Sequence, residues 1–282
     1  MNEHYFFYNN EYYLSSEPVI HVGNRGFRFG DGLFETMRMY EGRILNADFH
    51  FERLFHGMKM LQFDIPEYFS KGYFVNAVNE VLLKNSIFQN ARIRMMVFRG
   101  DGNVYDTENN DANIIIETFE LNDTIELNEN GLVADIFTGA KKSCDPFANV
   151  KSNNALASVM ARLFAKQNNF DDAIILNCYN RVCESSIANV FIIKDEKIFT
   201  PPLSEGCIAG TLRRWMLGNF SSKKYLVSEK ILSVDDLFQA DEIFLTNAIQ
   251  PIRWVKNIGE KIYDNRITKE IFKEVELFIK KG

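Results

Sequence analysis

Along the first part of the chain, hydrophobic positions come in short aromatic and β-branched runs that polar residues interrupt. Between Tyr5 and Arg43 the interruptions are Asn9-Asn10, Gly23-Asn24 and Glu41-Gly42. Such punctuation is typical of antiparallel strands joined by tight turns. The segment LFETMRMYEGRIL shows it best, because a strand, a Glu-Gly turn and a returning strand follow one another directly.

The pattern then changes to helical spacing and later returns to strands. Two helices are predicted, from about Ala47 to Leu61 and from about Tyr68 to Lys84, and Pro66 breaks the chain between them. The runs ARIRMMVF and ANIIIETFEL are typical of strands. The polar, acidic segment between these two runs predicts a loop.

A second change of pattern begins near Gly131. Predicted strands LVADIF, DAIILN, ANVFIIKDEKIFTPP and DEIFLTN alternate here with predicted helices, which span about 154–168, 211–220 and 268–281. The third of these runs contains a predicted hairpin turn at Asp195-Glu196. This succession predicts an α+β fold with two subdomains, 1–120 and 131–282, joined by a polar connection at 121–130.

Composition and charge exclude several function classes. The 282-residue chain is 46% hydrophobic and 25% charged, with a net charge of −6, and its basic residues are scattered. It therefore lacks the basic patch of a nucleic-acid-binding protein, and no apolar run approaches the roughly 18 residues of a membrane helix. We expect a small-molecule partner, with neither nucleic acid nor membrane.

The cysteines and the first residues indicate the compartment. Cys144, Cys178, Cys183 and Cys207 form no CxxC pair and no zinc-type cluster, and the first residues show no basic segment followed by an apolar core. We expect reduced thiols, no metal and a cytoplasmic location.

The stretch VKSNNAL places Lys151 just before a predicted helix. A lysine becomes a nucleophile where burial or neighbouring cations lower its pKa. Downstream, Glu184 lies immediately before the buried strand ANVFII, and a buried carboxylate requires a cationic or donor partner. Either residue alone is most simply structural, whereas the two together indicate a site.

The segment GCIAGTLRRW supplies a candidate anion site. Gly206 and Gly210 flank a turn that leads into a helix, so the amides of Thr211 and Leu212 lie at a helix N-terminus, which favours anions. Arg53, in NADFHFERLF, is suited to bidentate phosphate binding. A lysine, an acid and a phosphate cup are the parts that pyridoxal phosphate requires.

Five segments in this order resemble the fold-type IV pyridoxal phosphate enzymes: RGFRFGDGLFETMR, HFERL, VKSNN, CESSIANVF and GCIAGTLRR. This family includes branched-chain aminotransferases, D-amino acid aminotransferases and 4-amino-4-deoxychorismate lyases. The resemblance covers nearly the whole chain. It implies an N-terminal α/β sandwich, a C-terminal pseudo-barrel with flanking helices, pyridoxal 5'-phosphate as cofactor and a homodimer.

The resemblance also implies residue roles. Lys151 would form the Schiff base with the cofactor, Glu184 would pair with the pyridine nitrogen, and Asn154 resembles the KxxN arrangement of the D-amino acid aminotransferases and the lyases. The phosphate would be held by Arg53, by the amides of Thr211 and Leu212, and by the segment Asn247-Ala248.

Two departures from the aminotransferase pattern favour a lyase. The phosphate turn contains Leu212, where aminotransferases of this family commonly have threonine, and Ser185 follows the acid, where they commonly have glycine. We therefore predict a lyase that converts 4-amino-4-deoxychorismate to 4-aminobenzoate and pyruvate, a step of folate biosynthesis. The loop FRGDGNVYDTENN lacks the second arginine that such lyases often carry, which leaves the substrate open.

Two alternatives stay open. The same scaffold could serve an aminotransferase acting on branched-chain or D-amino acids. A non-catalytic structural or regulatory protein is the other, and the complete set of Lys151, Glu184 and Arg53 argues against it.

Three residues are candidates to bind substrate. Arg99 and Arg28 could bind substrate carboxylates, although a structural ion pair is the alternative for each. Thr36 could position a proton or water, or it could be an ordinary strand threonine. We assign no histidine a catalytic role and expect His50 to be structural.

Overall fold

The computed structural model describes residues 3–105, 108–121, 124–220 and 224–281. Helices and two sheets are both present, which confirms the predicted α+β class. Within the described residues, no helix has the length and apolar character needed to cross a membrane.

The chain divides into two compact units. Unit 1 comprises Met1–Asp123 and Val150–Asn154, and unit 2 comprises Thr124–Asn149 and Ala155–Gly282. The hydrophobic pattern places residues 150–154 in the second subdomain, whereas their contacts group them with unit 1. The predicted lysine therefore lies on a short segment that leaves unit 2 and returns to it.

Unit 1 contains a six-stranded sheet in which every neighbouring pair is antiparallel, in the order β2-β1-β6-β5-β3-β4. Its strands are β1 (Tyr5–Tyr8), β2 (Glu11–Leu14), β3 (Gly32–Tyr40), β4 (Arg43–Ile44), β5 (Ala91–Phe98) and β6 (Asn113–Glu120). Its helices are α1 (Arg25–Phe29), α2 (Ala47–Met60) and α3 (Lys71–Lys84).

The core of unit 1 follows from two periodicities. Alternate residues of β5, such as Ile93 and Met95, are fully buried, and they pack against residues of the two long helices such as Leu54 and Val78. A strand exposes every second residue to one face, and a helix every third or fourth. The predicted helices therefore occur close to where the pattern places them.

Helix α1 corrects the prediction of strand structure throughout residues 5–43. Asn24 caps its N-terminus, because the Asn24 side chain accepts a hydrogen bond from the Phe27 amide at 3.0 Å. Gly30 ends the helix with a φ of 64°. An asparagine cap and a terminal glycine are ordinary helix boundaries, but five residues are too few for a helical hydrophobic pattern to show.

Unit 2 contains nine strands within its described residues, in the order β12-β11-β10-β13-β14-β7-β8-β9, with β15 paired to β14. They are β7 (Leu132–Lys142), β8 (Asp172–Asn177), β9 (Val182–Ser185), β10 (Asn189–Lys194), β11 (Lys197–Thr200), β12 (Val227–Glu229), β13 (Glu242–Thr246), β14 (Arg253–Ile258) and β15 (Lys261–Ile262). Its helices are α4 (Leu156–Gln167), α5 (Thr211–Asn219), α6 (Val234–Gln239) and α7 (Arg266–Lys281).

The mixed sheet of unit 2 explains its continuous hydrophobic runs. β7 pairs in parallel with both β8 and β14, and all six residues of β8 are buried. The predicted hairpin between β10 and β11 is present, with Asp195 at φ 49° and Glu196 at φ 59°. Two consecutive residues of positive φ are what a tight two-residue hairpin requires.

Helix α7 is anchored by one buried carboxylate. Glu242, which is 3% exposed, accepts hydrogen bonds from the amides of Ile267 at 2.7 Å and Thr268 at 2.8 Å, and from the Thr268 hydroxyl at 2.8 Å. The carboxylate thus satisfies amides that the helix cannot pair itself, and it complements the positive end of the helix.

We expect Glu242→Ala to lower the free energy of unfolding by about 2–3 kcal/mol, because two buried amides and a hydroxyl lose their acceptor. Urea unfolding followed by tryptophan fluorescence measures this. The control is Glu274→Ala on the exposed face of the same helix, expected within about 0.5 kcal/mol of wild type. Equal effects of the two changes would contradict the anchoring role.

Candidate active site

Lys151 is positioned by strand pairing that is distant in sequence. Residues 151–153 run antiparallel to the start of β3: the Phe34 amide donates to the Lys151 carbonyl at 2.9 Å, and the Asn153 amide donates to the Gly32 carbonyl at 2.9 Å. β4 pairs only with the last two residues of β3, so the same edge of β3 is available to residues 151–153 at the start of the strand. The backbone of Lys151 is thereby fixed to the sheet of unit 1.

Glycine is required at two places beside this pairing. A Cβ atom on Gly32 would lie 2.6 Å from the Val97 carbonyl oxygen and 2.7 Å from the Asn153 side chain. Gly30 has a positive φ, and its carbonyl accepts a hydrogen bond from the Asn154 side chain at 3.2 Å. Asn154, which the sequence predicts to contact the cofactor, therefore also fixes the turn before β3.

The side chain of Lys151 lies on an aromatic ring that it shares with an arginine. The Lys151 Nζ atom is 4.4 Å from the centroid of the Phe34 ring, and the Arg94 Cζ atom is 4.7 Å from the same centroid. Both contacts are within the range of cation–π attraction. Arg94 is half-buried on β5, and the sequence analysis did not select it.

Arg53 is held by a buried carboxylate that the sequence analysis also missed. Its Nε and Nη2 atoms donate to the two oxygens of Glu35 at 2.7 and 2.5 Å, and His50 Nδ1 lies 2.6 Å from one of those oxygens. Burial works to raise the pKa of Glu35, but the charge of Arg53 and the hydrogen bonds outweigh it and hold this pKa at about 2. The guanidinium is thus oriented by a fixed anion.

His50 serves this pair as a neutral donor. Burial lowers the pKa of His50 below its ordinary value of 6.5, against the opposing influence of Glu35. At neutral pH the ring is therefore uncharged and its Nδ1–H donates to Glu35. This geometry agrees with the structural role expected for His50.

Arg99 is committed to internal partners. Its guanidinium, on a residue 7% exposed, donates to Asp31 at 2.6 Å, to Asn110 at 3.0 Å and to the Gln62 carbonyl at 3.1 Å, and it also contacts the Leu61 carbonyl. These bonds tie three other segments of unit 1 to the residue that follows β5. They favour the structural alternative that the sequence left open for Arg99.

The other two predicted substrate residues lie in different surroundings. Arg28 is exposed on α1, with its Cζ atom 4.9 Å from the centroid of the neighbouring Phe29 ring. Thr36 is half-buried on β3, two residues after Phe34, and its partner across the sheet is Arg94. Thr36 therefore shares a face of the sheet with Phe34 and Arg94, whereas Arg28 belongs to the surface.

Glu184 is paired with a lysine inside unit 2. It lies on β9 and is 4% exposed; one oxygen is 2.5 Å from Lys142 Nζ, and the other accepts a hydrogen bond from the Ile208 amide at 2.8 Å. Burial works to lower the pKa of Lys142, but the Glu184 charge outweighs it and raises that pKa. The buried acid thus has the cationic and donor partners that its position requires.

The turn before α5 is held by Asn189. The Asn189 side chain donates to the Ile208 carbonyl at 2.9 Å, and a Cβ atom on Gly210 would lie 1.9 Å from its Oδ1 atom. Glycine is therefore required at this helix start, where it offers no side-chain cap to the first amides. Thr211 and Leu212, the first two residues of α5, are both buried.

The end of β13 carries a buried hydroxyl group that has no hydrogen-bond partner among the described residues. This is Oγ1 of Thr246, which is 2% exposed and is the cross-strand partner of Asn189. A buried polar atom without a partner is costly, and its occurrence indicates a polar ligand. The next residue, Asn247, stabilises the turn that contains Ala248. Its Oδ1 atom accepts hydrogen bonds from the amides of Ile249 and Gln250 at 2.9 and 2.8 Å.

These residues of unit 2 fit the phosphate of the predicted cofactor. The start of α5 has no side-chain cap, and the Thr246 hydroxyl is unsatisfied on the strand that pairs with Asn189, so both supply donors of the kind a phosphate needs. Among the described residues, no group of three or more His, Cys, Asp or Glu side chains could hold a metal ion.

A family described as "Amino-transferase class IV" matches residues 32–258, which is most of the chain. The protein belongs to this family. The predicted resemblance and fold are confirmed, and so is the cofactor, because fold-type IV members of the family use pyridoxal phosphate.

Three similar proteins illustrate the range of activities in the family. An aminodeoxychorismate lyase from Vibrio harveyi is 28% identical, over 88% of this chain and 91% of the relative. A D-alanine aminotransferase from Staphylococcus haemolyticus is 27% identical, over 93% and 92%. The structure of a branched-chain aminotransferase from Thermoproteus uzoniensis with norvaline has a TM-score of 0.88 at 22% identity, over 98% of this chain and 94% of that one, a likeness that establishes the fold.

Class IV membership makes the protein a pyridoxal phosphate enzyme, either an aminotransferase or a lyase. The two sequence relatives with different reactions have nearly the same identity to this chain. Overall similarity therefore does not choose the reaction, and the choice depends on individual residues.

The buried histidine predicts a pH-dependent stability. Because burial lowers the pKa of His50 in the folded chain, the unfolded chain takes up a proton at this histidine more readily as pH falls through 6.5. The free energy of unfolding therefore decreases as pH decreases, by at most ~1.4 kcal/mol per pH unit for this group. The stability that Glu35 contributes is lost only at lower pH, as the pH falls from 4.5 through about 2. We expect His50→Asn to flatten the slope between pH 7 and 5.

Urea unfolding at pH 5, 6 and 7 measures this slope. The matched control is His56→Asn, which changes an exposed histidine of the same helix and should leave the slope as in wild type. A His50→Asn slope equal to that of wild type would refute the neutral, buried state of His50.

Proposed function

We propose that this protein is a pyridoxal phosphate-dependent lyase that converts 4-amino-4-deoxychorismate to 4-aminobenzoate and pyruvate. The observation that carries the proposal is Leu212, whose apolar side chain is 4% exposed at the second position of α5. This position can offer the phosphate its amide but no hydroxyl group, which is the lyase-like pattern. The Vibrio harveyi lyase, similar over most of both chains, supports the same choice.

The roles of the cofactor-binding residues belong to this proposal. Lys151 provides the amine for the Schiff base, and Glu184 binds the pyridine nitrogen. The phosphate is held by Arg53, by the amides of Thr211 and Leu212, and by the Asn247-Ala248 turn, and Asn154 supports the segment of Lys151. The Glu35–Arg53 pair supports this assignment, because it presents the guanidinium in one orientation.

Lys142 completes the assignment on the pyridine side. Its ammonium group contacts one oxygen of Glu184 and thereby orients the carboxyl group that we assign to the pyridine nitrogen. When bound, pyridoxal phosphate supplies a carbonyl group for the Schiff base and a ring that accepts negative charge.

The proposed reaction requires Lys151 to transfer protons. We infer that its free amine removes the proton from the substrate ring carbon that bears nitrogen, and that the resulting ammonium protonates the enolpyruvyl group as the bond to the neighbouring ring carbon breaks. The ring becomes aromatic, which makes this step strongly downhill. Arg94 binds a substrate carboxylate, since it is a half-buried cation on the ring that Lys151 contacts.

The second candidate is an aminotransferase on the same scaffold. The similarity to the Staphylococcus haemolyticus D-alanine aminotransferase favours it, because that relative matches this chain as completely as the lyase does. Such an enzyme needs an amino donor and a 2-oxo acid acceptor. The expected homodimer and cytoplasmic location fit either reaction. The homodimer rests on the family resemblance alone, and the location rests on the cysteine pattern.

The decisive experiment supplies 4-amino-4-deoxychorismate to the cofactor-loaded protein in the absence of any 2-oxo acid. We expect 4-aminobenzoate and pyruvate in equal amounts, and a loss of at least ~10³-fold in Lys151→Ala, which lacks the amine. Lys166→Ala, an exposed lysine on α4, is the control and should keep full activity. Amino-group exchange between amino and 2-oxo acids, without pyruvate release, would establish the aminotransferase instead.

Arg94 gives a second prediction with a matched control on the same strand. Arg94→Gln should raise KM for the carboxylate-bearing substrate about 10-fold or more, because a charge-assisted bond is lost. Arg92→Gln changes an exposed arginine whose Cζ atom lies 4.6 Å from the Phe119 ring centroid, and should change KM less than about 2-fold. Similar KM values for both variants would exclude Arg94 as a substrate-binding residue.

A further inference from the structure

Two of the four thiols lie side by side at the ends of neighbouring strands. Cys144 follows β7 by two residues, Cys178 follows β8 directly, and their sulfur atoms are 3.8 Å apart. The backbone holds this approach, because Lys142 and Asn177 are partners in the parallel pairing and the Cys178 amide donates to the Lys142 carbonyl at 2.9 Å. The proximity thus comes from the sheet itself.

The two thiols differ from the other pair in accessibility. Cys178 is exposed and Cys144 is partly buried, whereas Cys183 and Cys207 are 0% exposed. Burial, together with the contact between its thiol and that of Cys178, raises the pKa of Cys144 to about 11. A small oxidant in solution therefore reaches Cys178 first, with Cys144 held as a thiol beside it.

We propose that Cys144 and Cys178 are a site of reversible oxidation, at which hydrogen peroxide converts the two thiols to an intrachain disulfide. The Cys178 sulfur attacks one peroxide oxygen, the O–O bond breaks, and a sulfenic acid and water form. The Cys144 sulfur then attacks the Cys178 sulfur, the S–O bond breaks, and a second water leaves. Two thiols are oxidised to one disulfide, and one peroxide is reduced to two waters.

The geometry needs only a small adjustment for this bond. A disulfide is about 2.0 Å long, so the sulfur atoms must approach by about 1.8 Å, which side-chain rotation on an exposed loop can supply. The backbone around Cys144 is itself well packed, since a Cβ atom on Gly206 would lie 2.1 Å from the Ser143 carbonyl oxygen.

The disulfide would join two segments, one of which carries the lysine that contacts the buried Glu184. Cys144 lies two residues after Lys142, whose ammonium group contacts Glu184. Because the bond closes a loop from residue 144 to residue 178, it also restricts the unfolded chain, and the oxidised protein should be more stable than the reduced one.

The test treats the full-length protein with hydrogen peroxide and follows its intact mass. We expect a loss of about 2 Da, a fall in free thiols from four to two under denaturing conditions, and a linked pair of peptides containing Cys144 and Cys178, all reversed by dithiothreitol. Cys183 and Cys207 act as internal controls and should remain fully alkylatable. The melting temperature should rise by about 3 °C or more on oxidation.

Two variants separate this site from other oxidation. Cys144→Ser should form no disulfide and should instead accumulate a dimedone-reactive sulfenic acid at Cys178; Cys178→Ser should form neither product. Oxygen addition at Cys178 without an intrachain link in wild type would overturn the proposal. So would a disulfide between two chains, or a loss of about 2 Da that persists in Cys144→Ser.

Discussion

The short antiparallel pairing between residues 151–153 and the start of β3 is the constraint on which the candidate catalytic residue depends. It requires Gly32, since any Cβ atom there would collide with the Val97 carbonyl, and it is supported by Val150, which is buried in the core of unit 1. Burying a valine contributes about 1.5–3 kcal/mol. The segment is thereby fixed in unit 1, and Lys151 lies on the Phe34 ring.

Each unit also contains a buried ion pair that fixes the orientation of a charged side chain. In unit 1 Glu35 orients Arg53, and in unit 2 Lys142 faces Glu184. A buried charge without a partner is far more costly than a paired one, so each pair depends on both members. Each pair thereby holds a charged group in one orientation, as the binding of a charged cofactor demands.

The same chemical parts serve more than one reaction, and this is why similarity across the family does not choose between them. A Schiff-base lysine, an acid for the pyridine nitrogen and a phosphate cup are common to lyases and aminotransferases. The reaction depends on which bond of the substrate is placed for cleavage, and hence on the residues that bind its carboxylates. In the proposed lyase, Arg94 and its partner across the sheet, Thr36, would be the positions at which the substrate is selected.

The sequence by itself determined the long helices, most of the strands, the hairpin at Asp195-Glu196 and the cofactor family, because each depends on local periodicity, turn chemistry or ordered motifs. The sequence did not predict helix α1, because five residues are too few to show a helical hydrophobic pattern. Only the tertiary structure decided the partners of the charged residues: it joined Lys142 to Glu184 across 42 positions and committed Arg99 to Asp31 across 68. Strand pairing brings such residues together, and no local pattern in the chain records which distant side chain a buried charge will meet.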